Sequence, residues 1–275
     1  MSKITGELKN YGFDPSLVEI KPEDWQLGSI APVILKEDGN WLDFLPTFER
    51  QYGNGWDSYG CTCYGTTSQI ETLQKFLEGK EYNYAERYPY NIVGINPPGA
   101  NPNDVYQAIR HEGLLPQEDL PMTETLGEFK EPRPMTEELK AKGRLWLNDY
   151  ELNHEWIASP THEDIRFALK YSPIALSVTA WFFNDKGYAV DNGMGNTHWC
   201  LAFRAHEDGR IDIFDSYAQD IKTLDPTHKI SFAKRISILN KKKVIQEIEA
   251  YKAPSQNWFI QIIHKIWTIV SAFWK

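Results

Sequence analysis

The hydrophobic period of this chain changes at Pro173, and that change constrains the fold more than any other feature of the sequence. Up to Leu169 the apolar residues recur every three or four positions: Ile70, Leu73, Phe76 and Leu77, then Val105, Ala108 and Ile109, then Ile165, Ala168 and Leu169. From Pro173 onward they alternate: Ile174, Leu176, Val178, Ala180 and Phe182, then Trp199, Leu201 and Phe203, then Ile211 and Ile213. A period near 3.6 marks helices and a period of 2 marks strands. Helices first and sheet second is the order of an α+β protein with two lobes. At 275 residues and 41% hydrophobic, the chain suits one large domain or two closely packed lobes.

Local punctuation places the elements. Residues 1–40 are polar and read as an extended leader, and the apolar stretch from Trp41 to Pro46 starts the compact body. A loop through Gly53-Asn54-Gly55 and Asp57-Ser58-Tyr59-Gly60 leads into a helix from Cys61 to Glu78, with Gly79 as its stop. Asn103 is the expected cap of a short helix ending at Gly113. Residues 116–134, rich in proline and acid, read as an irregular surface crossing. Thr161 and Asp164 form a capping-box pattern for the next helix. Glu207-Asp208-Gly209 is a hairpin connection.

Composition excludes several functions. A formal charge of −9 argues against a nucleic-acid binder, which needs a basic face. Three cysteines, Cys61, Cys63 and Cys200, are too few for a disulfide framework and fit a reducing compartment. The N-terminus has no apolar core of signal-peptide length, which suggests a cytoplasmic or phage-associated protein. No apolar run reaches the ~20 residues of a membrane span.

The tail is different. After Lys241-Lys242-Lys243 and a helix, Pro254 breaks the chain, and Trp258 to Trp274 is apolar apart from a stripe of Gln261, His264, Lys265, Thr268 and Ser271. Such an amphipathic helix packs on the body, or docks through residues 258–274 to a membrane surface or a protein partner.

The chemistry centres on Cys61. A cysteine in the first turn of a helix meets unpaired N–H groups and the positive dipole end, both of which stabilise a thiolate. His198 opens one strand after the flexible Gly193-Met194-Gly195-Asn196-Thr197, and Asp215 closes the next. A thiol, an imidazole and a carboxylate make a nucleophile, its base and an orienting group. The pairing depends on the hairpin. A two-residue turn at Asp208-Gly209 puts Asp215 opposite Ala202, with His198 about 13 Å further on. A wider loop from Arg204 to Gly209 puts Asp215 opposite His198, so the wide loop is expected.

These motifs resemble papain-like cysteine peptidases. Cys61-Thr62-Cys63-Tyr64 through Ile70-Glu71 is similar to the family's nucleophile helix, with Cys61 in register with the nucleophile. Asn196-Thr197-His198-Trp199 through Phe203 resembles the histidine strand, and Ile211 through Tyr217 resembles the Asn-Ser-Trp segment. Val105 to Pro121, with His111-Glu112-Gly113-Leu114-Leu115-Pro116, fits the helix and turn between them. The resemblance covers roughly residues 41–220. It implies a papain-like two-lobe fold: a helical lobe led by the nucleophile helix and a twisted antiparallel β lobe. The chain then divides into the leader (1–40), a peptidase domain (41–253) and the C-terminal helix (254–275).

The resemblance also implies a catalytic set of Cys61, His198 and Asp215, no cofactor and no metal. The oxyanion would be held by the Cys61 backbone N–H and a side-chain amide, with Gln51 as the candidate. Three departures stand out. Gln51 lies further from the cysteine than the family's glutamine does, so either the loop carries an insertion or Asn54 takes the role. Asp215 stands where the family has asparagine, and Tyr217 where it has tryptophan. The leader is too short for the family's long helical propeptide. The implied protein is a divergent bacterial or phage-type thiol protease that cuts a peptide or protein substrate, such as cell-wall peptide, a capsid precursor or host proteins. Two other readings compete. Cys61, Cys63, His198 and Cys200 are zinc-type ligands, and a papain-like scaffold without activity can serve as a binding or virion-structural protein.

Overall fold

A computed structural model describes residues 33–193, 195–217 and 220–251, together with the strand Thr5–Gly6, residues 12–21, Asp24, Trp25 and Gly28. The C-terminal helix expected over 254–275 lies outside the described residues. The chain opens with β1 (Thr5–Gly6) and a small hairpin of β2 (Tyr52–Gly53) and β3 (Trp56–Asp57). Five helices follow: α1 (Cys61–Glu78), α2 (Arg87–Val93), α3 (Pro102–Glu112), α4 (Leu126–Phe129) and α5 (Glu137–Asp149). Next come β4 (Tyr150–Ala158), α6 (His162–Ala168), β5 (Ile174–Val178), β6 (Phe182–Phe183) and β7 (His198–Ala205). The described chain then runs through β8 (Ile211–Asp215), β9 (Asp220–Leu224), β10 (Phe232–Asn240) and α7 (Lys241–Tyr251). Six strands form one antiparallel sheet in the order β4-β10-β5-β7-β8-β9. The architecture is α+β, as the change of period predicts.

α1 joins the helices to the sheet. It is buried on nearly every side, because β7 covers one face and α2 and α3 cover others. Gly65 makes this approach fit: a Cβ there would stand 2.9 Å from Trp199 Cδ1 and 3.2 Å from the Trp199 carbonyl. Gln69 then fastens the helix. Its Nε2 donates to the carbonyls of Pro173 and Lys234, each at 2.8 Å, and its Oε1 accepts from the Tyr106 hydroxyl. Phe13, from the described N-terminal residues, also lies on this core. It is buried and stacks on Trp199 at 5.7 Å.

Several local expectations hold and others are corrected. The capping box of Thr161 and Asp164 is formed. The cap of α3 is Asn101, whose side chain accepts from the Asn103 N–H at 2.9 Å, rather than Asn103. Pro102 supplies the fixed φ of the first helical turn. The crossing at 116–134 contains the short helix α4, closed by a capping box of Thr125 and Glu128. The alternation from Ile174 to Phe182 does not make one strand. β5 ends at Val178, and β6 leaves it to pair with β1.

The apolar pattern gives no warning of α5, β4 or β10. β4 and β10 pair along nine residues, from Phe232 opposite Ala158 to Asn240 opposite Tyr150. Their buried positions include Asn153, His154, Glu155, Lys234 and Arg235, so they do not read as apolar alternation.

Replacing Gln69 with alanine removes its buried bonds to the Pro173 and Lys234 carbonyls, of which Pro173 keeps only the Ser172 hydroxyl as a side-chain donor. Urea unfolding is expected to show a loss of about 2–4 kcal/mol. A loss under ~0.5 kcal/mol would mean that other contacts seat the helix.

Candidate active site

Cys61 opens α1 immediately after Gly60. The helix lies on β7, and the Trp199 backbone N–H, one residue past His198, points at the Cys61 thiol and favours its ionised form. The net effect is still opposite to that expected of a helix start. Burial pushes the thiol well above its ordinary value, and the Asp57 and Asp215 carboxylates add to the rise. Cys61 is completely buried, so the helix dipole acts on a group without solvent. Cys63 and Cys200 are buried as well, and burial raises both thiols.

His198 and Asp215 meet. The Nε2 of His198 lies 2.6 Å from Oδ1 of Asp215, with both side chains fully buried. The route differs from the wide loop expected of the sequence. His206 N–H donates to the Arg210 carbonyl at 2.8 Å, closing a turn of Glu207, Asp208 and Gly209, with Gly209 at φ +85°. A bulge between Ala202 and Arg204 then shifts the register by one residue. The carbonyl of the bulged Phe203 accepts from Trp41 N–H at 2.8 Å. Leu201 pairs with Phe214, which puts Asp215 across from Cys200 and diagonal to His198. Diagonal neighbours on one sheet face are close enough for an imidazole to reach a carboxylate.

Asp215 has further partners. Its Oδ1 accepts from the Tyr217 N–H at 2.9 Å, and its Oδ2 accepts from Lys222 Nζ at 2.7 Å. Burial alone would raise the Asp215 carboxyl, but His198 and Lys222 together hold it below its ordinary value. Trp181 covers the group, with its ring edge-on to His198 at 5.7 Å and 5.0 Å from Lys222 Nζ.

Gln51 is brought to the same place. It is buried, and its backbone N–H donates to the Ser216 carbonyl at 3.2 Å. Its side-chain carbonyl accepts from Ser216 Oγ at 3.1 Å, and its Nε2 donates to Asp57 Oδ1 at 3.2 Å. The Gln51 backbone carbonyl accepts from Ser58 N–H at 3.1 Å, so the extra residues are looped out as the β2–β3 hairpin. Asn54, the other candidate amide, sits exposed at the hairpin tip. Beside the hairpin is a cleft of about 710 Å³ lined by Arg50, Tyr52, Trp56, Asp57, Tyr59 and Tyr217. Among the described residues no three His, Cys, Asp or Glu side chains are grouped to hold a metal, and Cys61, Cys63, His198 and Cys200 form no such group.

The sequence pattern assigns no site role to Lys222, Trp181 or Asp57. Lys222 leaves a faint signal. Leu224 is a core residue, so the position two before it on β9 must also point inward, and the residue between them, like Ile221, outward.

The depressed Asp215 carboxyl links stability to pH. Its ionisation stabilises the fold above the unfolded value of about 4, and this stabilisation is lost as pH falls through the lower folded value. Asp215→Asn is therefore expected to cost about 2–3 kcal/mol in urea unfolding at pH 7, with the gap closing below about pH 4. A gap independent of pH would show that His198 and Lys222 do not hold the carboxylate.

No family model matches the sequence, and no curated protein does. Solved structures do share its architecture. One is the ragweed pollen cysteine protease Amb a 11 in its proform, with 13% identity over 72% of this chain and 63% of that one, at a TM-score of 0.53. Digestive procathepsin L 3 of Tenebrio molitor larval midgut has 11% identity over 83% of this chain and 76% of that one, at a TM-score of 0.52. The bromelain protease of Ananas comosus has 13% identity over 72% of this chain and 97% of that one, at a TM-score of 0.52. This chain thus spans less than two thirds of the ragweed proform. On this likeness, and on the order of its helices and sheet, the chain has the papain-like cysteine-protease fold.

Proposed function

We propose that this chain is a thiol-dependent hydrolase of peptide bonds, with Cys61 as nucleophile, His198 as base and Asp215 as the group that orients the ring. The observation that carries this reading is the buried 2.6 Å contact of His198 and Asp215, one residue from the Trp199 N–H that points at Cys61. With Nε2 engaged by Asp215, proton transfer falls to Nδ1 of the imidazole. Burial favours the protonated thiol, so the thiolate forms as His198 takes its proton during attack on the substrate carbonyl. His198 then returns the proton to the leaving amine, and water releases the acyl group by the same route. The Cys61 backbone N–H and a Gln51 amide N–H stabilise the oxyanion; an amide nitrogen has two protons, and Asp57 accepts one. The cleft beside the hairpin offers the substrate a place next to this group. The thiol must become accessible for attack, so substrate entry requires the groups over it to part. The full burial of Cys61 favours a second reading, a papain-like scaffold that binds without cleaving.

Iodoacetamide labelling of the native protein separates the readings. The first expects one cysteine to be labelled, with the label lost in Cys61→Ala. No labelling favours the scaffold, and labelling unchanged in Cys61→Ala removes Cys61 as nucleophile. Stoichiometric zinc in the same sample would overturn both in favour of a metal site. With a peptide substrate selected from a fluorogenic library, Gln51→Ala is expected to lower kcat about 10²–10³-fold. An unchanged kcat would remove Gln51 from the oxyanion site.

A further inference from the structure

Resting on the proposed catalytic reading, we propose that Lys222 is a positioning residue. Its ammonium balances the Asp215 carboxylate, so that His198 is aimed by a partner with no net charge.

The geometry places three side chains on three successive strands. His198 on β7 is diagonal to Asp215 on β8. Lys222 on β9 pairs with Ile213, two residues before Asp215, and so is diagonal to Asp215 in turn. Each carboxylate oxygen has its own cationic or imidazole partner: Oδ1 lies 2.6 Å from His198 Nε2, and Oδ2 accepts from Lys222 Nζ at 2.7 Å. Contacts at both oxygens fix the plane of the carboxylate, and with it the direction in which the imidazole points.

The charges explain why a lysine is useful there. A buried carboxylate alone beside an imidazole favours the imidazolium. A ring that must accept a proton from a thiol has to be unprotonated when attack begins. The other ionisable groups facing this cluster are the Cys61 thiol on α1, the Cys200 thiol on β7 and the Asp57 carboxylate before α1. Burial holds both thiols in the neutral form, and Asp57 acts on Cys61. The ammonium of Lys222 therefore offsets Asp215 where these groups do not.

The strand pattern points the same way. On β9 the aliphatic Ile221 is 50% exposed, while Lys222 is buried at 9%. Packing alone would favour the reverse, because burying an ammonium is costly and an apolar residue of similar size would fill the position. Trp181 lies against both the ammonium and the imidazole, which keeps water from screening either.

The test is the titration of the His198 ring by NMR with nitrogen-labelled histidine, in the full chain. Lys222→Met is expected to raise its midpoint by about one pH unit. Lys222→Arg should keep the parent midpoint. Asp215→Asn should lower it, since the lysine charge is then unopposed, and Asp215→Asn with Lys222→Met should restore it. A purely structural lysine predicts no such reciprocal pattern. An unchanged midpoint in folded Lys222→Met overturns the proposal. If Lys222→Met does not fold, Asp215→Asn against the double variant decides: no restoration overturns the proposal. Iodoacetamide labelling of Cys61 in the same samples keeps the two ideas apart. The reciprocal NMR pattern without labelling in any variant supports the charge balance and overturns the nucleophile.

Discussion

The close seating of α1 on β7 is the contact on which the rest of the structure depends. Gly65 has no side chain where any other residue would meet Trp199, and Gln69 ties the same helix to one carbonyl just before β5 and another on β10. The helix start therefore sits against the strand that carries His198. Cys61 comes beside Trp199 as a consequence, with the Trp199 N–H directed at its sulfur. Small and polar residues achieve this rather than the apolar stripe of Ile70, Leu73, Phe76 and Leu77. That stripe makes α1 a helix; Gly65 and Gln69 determine how closely it approaches the sheet.

The same crowding governs the electrostatics. A helix N-terminus and an adjacent N–H favour a thiolate, but complete desolvation outweighs both, and the carboxylates of Asp57 and Asp215 oppose them. The site is thus closed and its thiol neutral. Asp215 shows the opposite balance. It is as deeply buried, yet two partners at its two oxygens keep it ionised. Burial decides the charge of a group only when no partner compensates it.

Much of the fold was legible in the residues. α1 begins at Cys61 and ends before Gly79, Thr161 and Asp164 cap α6, and β7 and β8 begin and end with the histidine and the aspartate. These features depend on neighbours in sequence, where capping and period act. β4 and β10 were not legible for the converse reason. Lys234 is buried because its Nζ lies 3.9 Å from the Trp156 ring centre, 2.8 Å from Asn103 Oδ1 and 2.9 Å from His154 Nδ1. Arg235 is buried against Glu155 at 2.5 Å. Each charge looks like a surface residue until its partner from another element is known.

The residues of the candidate site divide in the same way. The sequence by itself determined which chemical groups are available and which elements carry them: a thiol at a helix start, an imidazole at a strand start, a carboxylate at a strand end. Tertiary structure alone decided their relation. A three-residue turn and a one-residue bulge at Phe203 set the register that makes His198 and Asp215 diagonal partners, and no local rule forces that bulge. Lys222 joins them because β9 lies beside β8 and turns its ammonium inward. Hydrophobic period and capping are properties of residues close in sequence, whereas registers and buried ion pairs depend on which strands become neighbours.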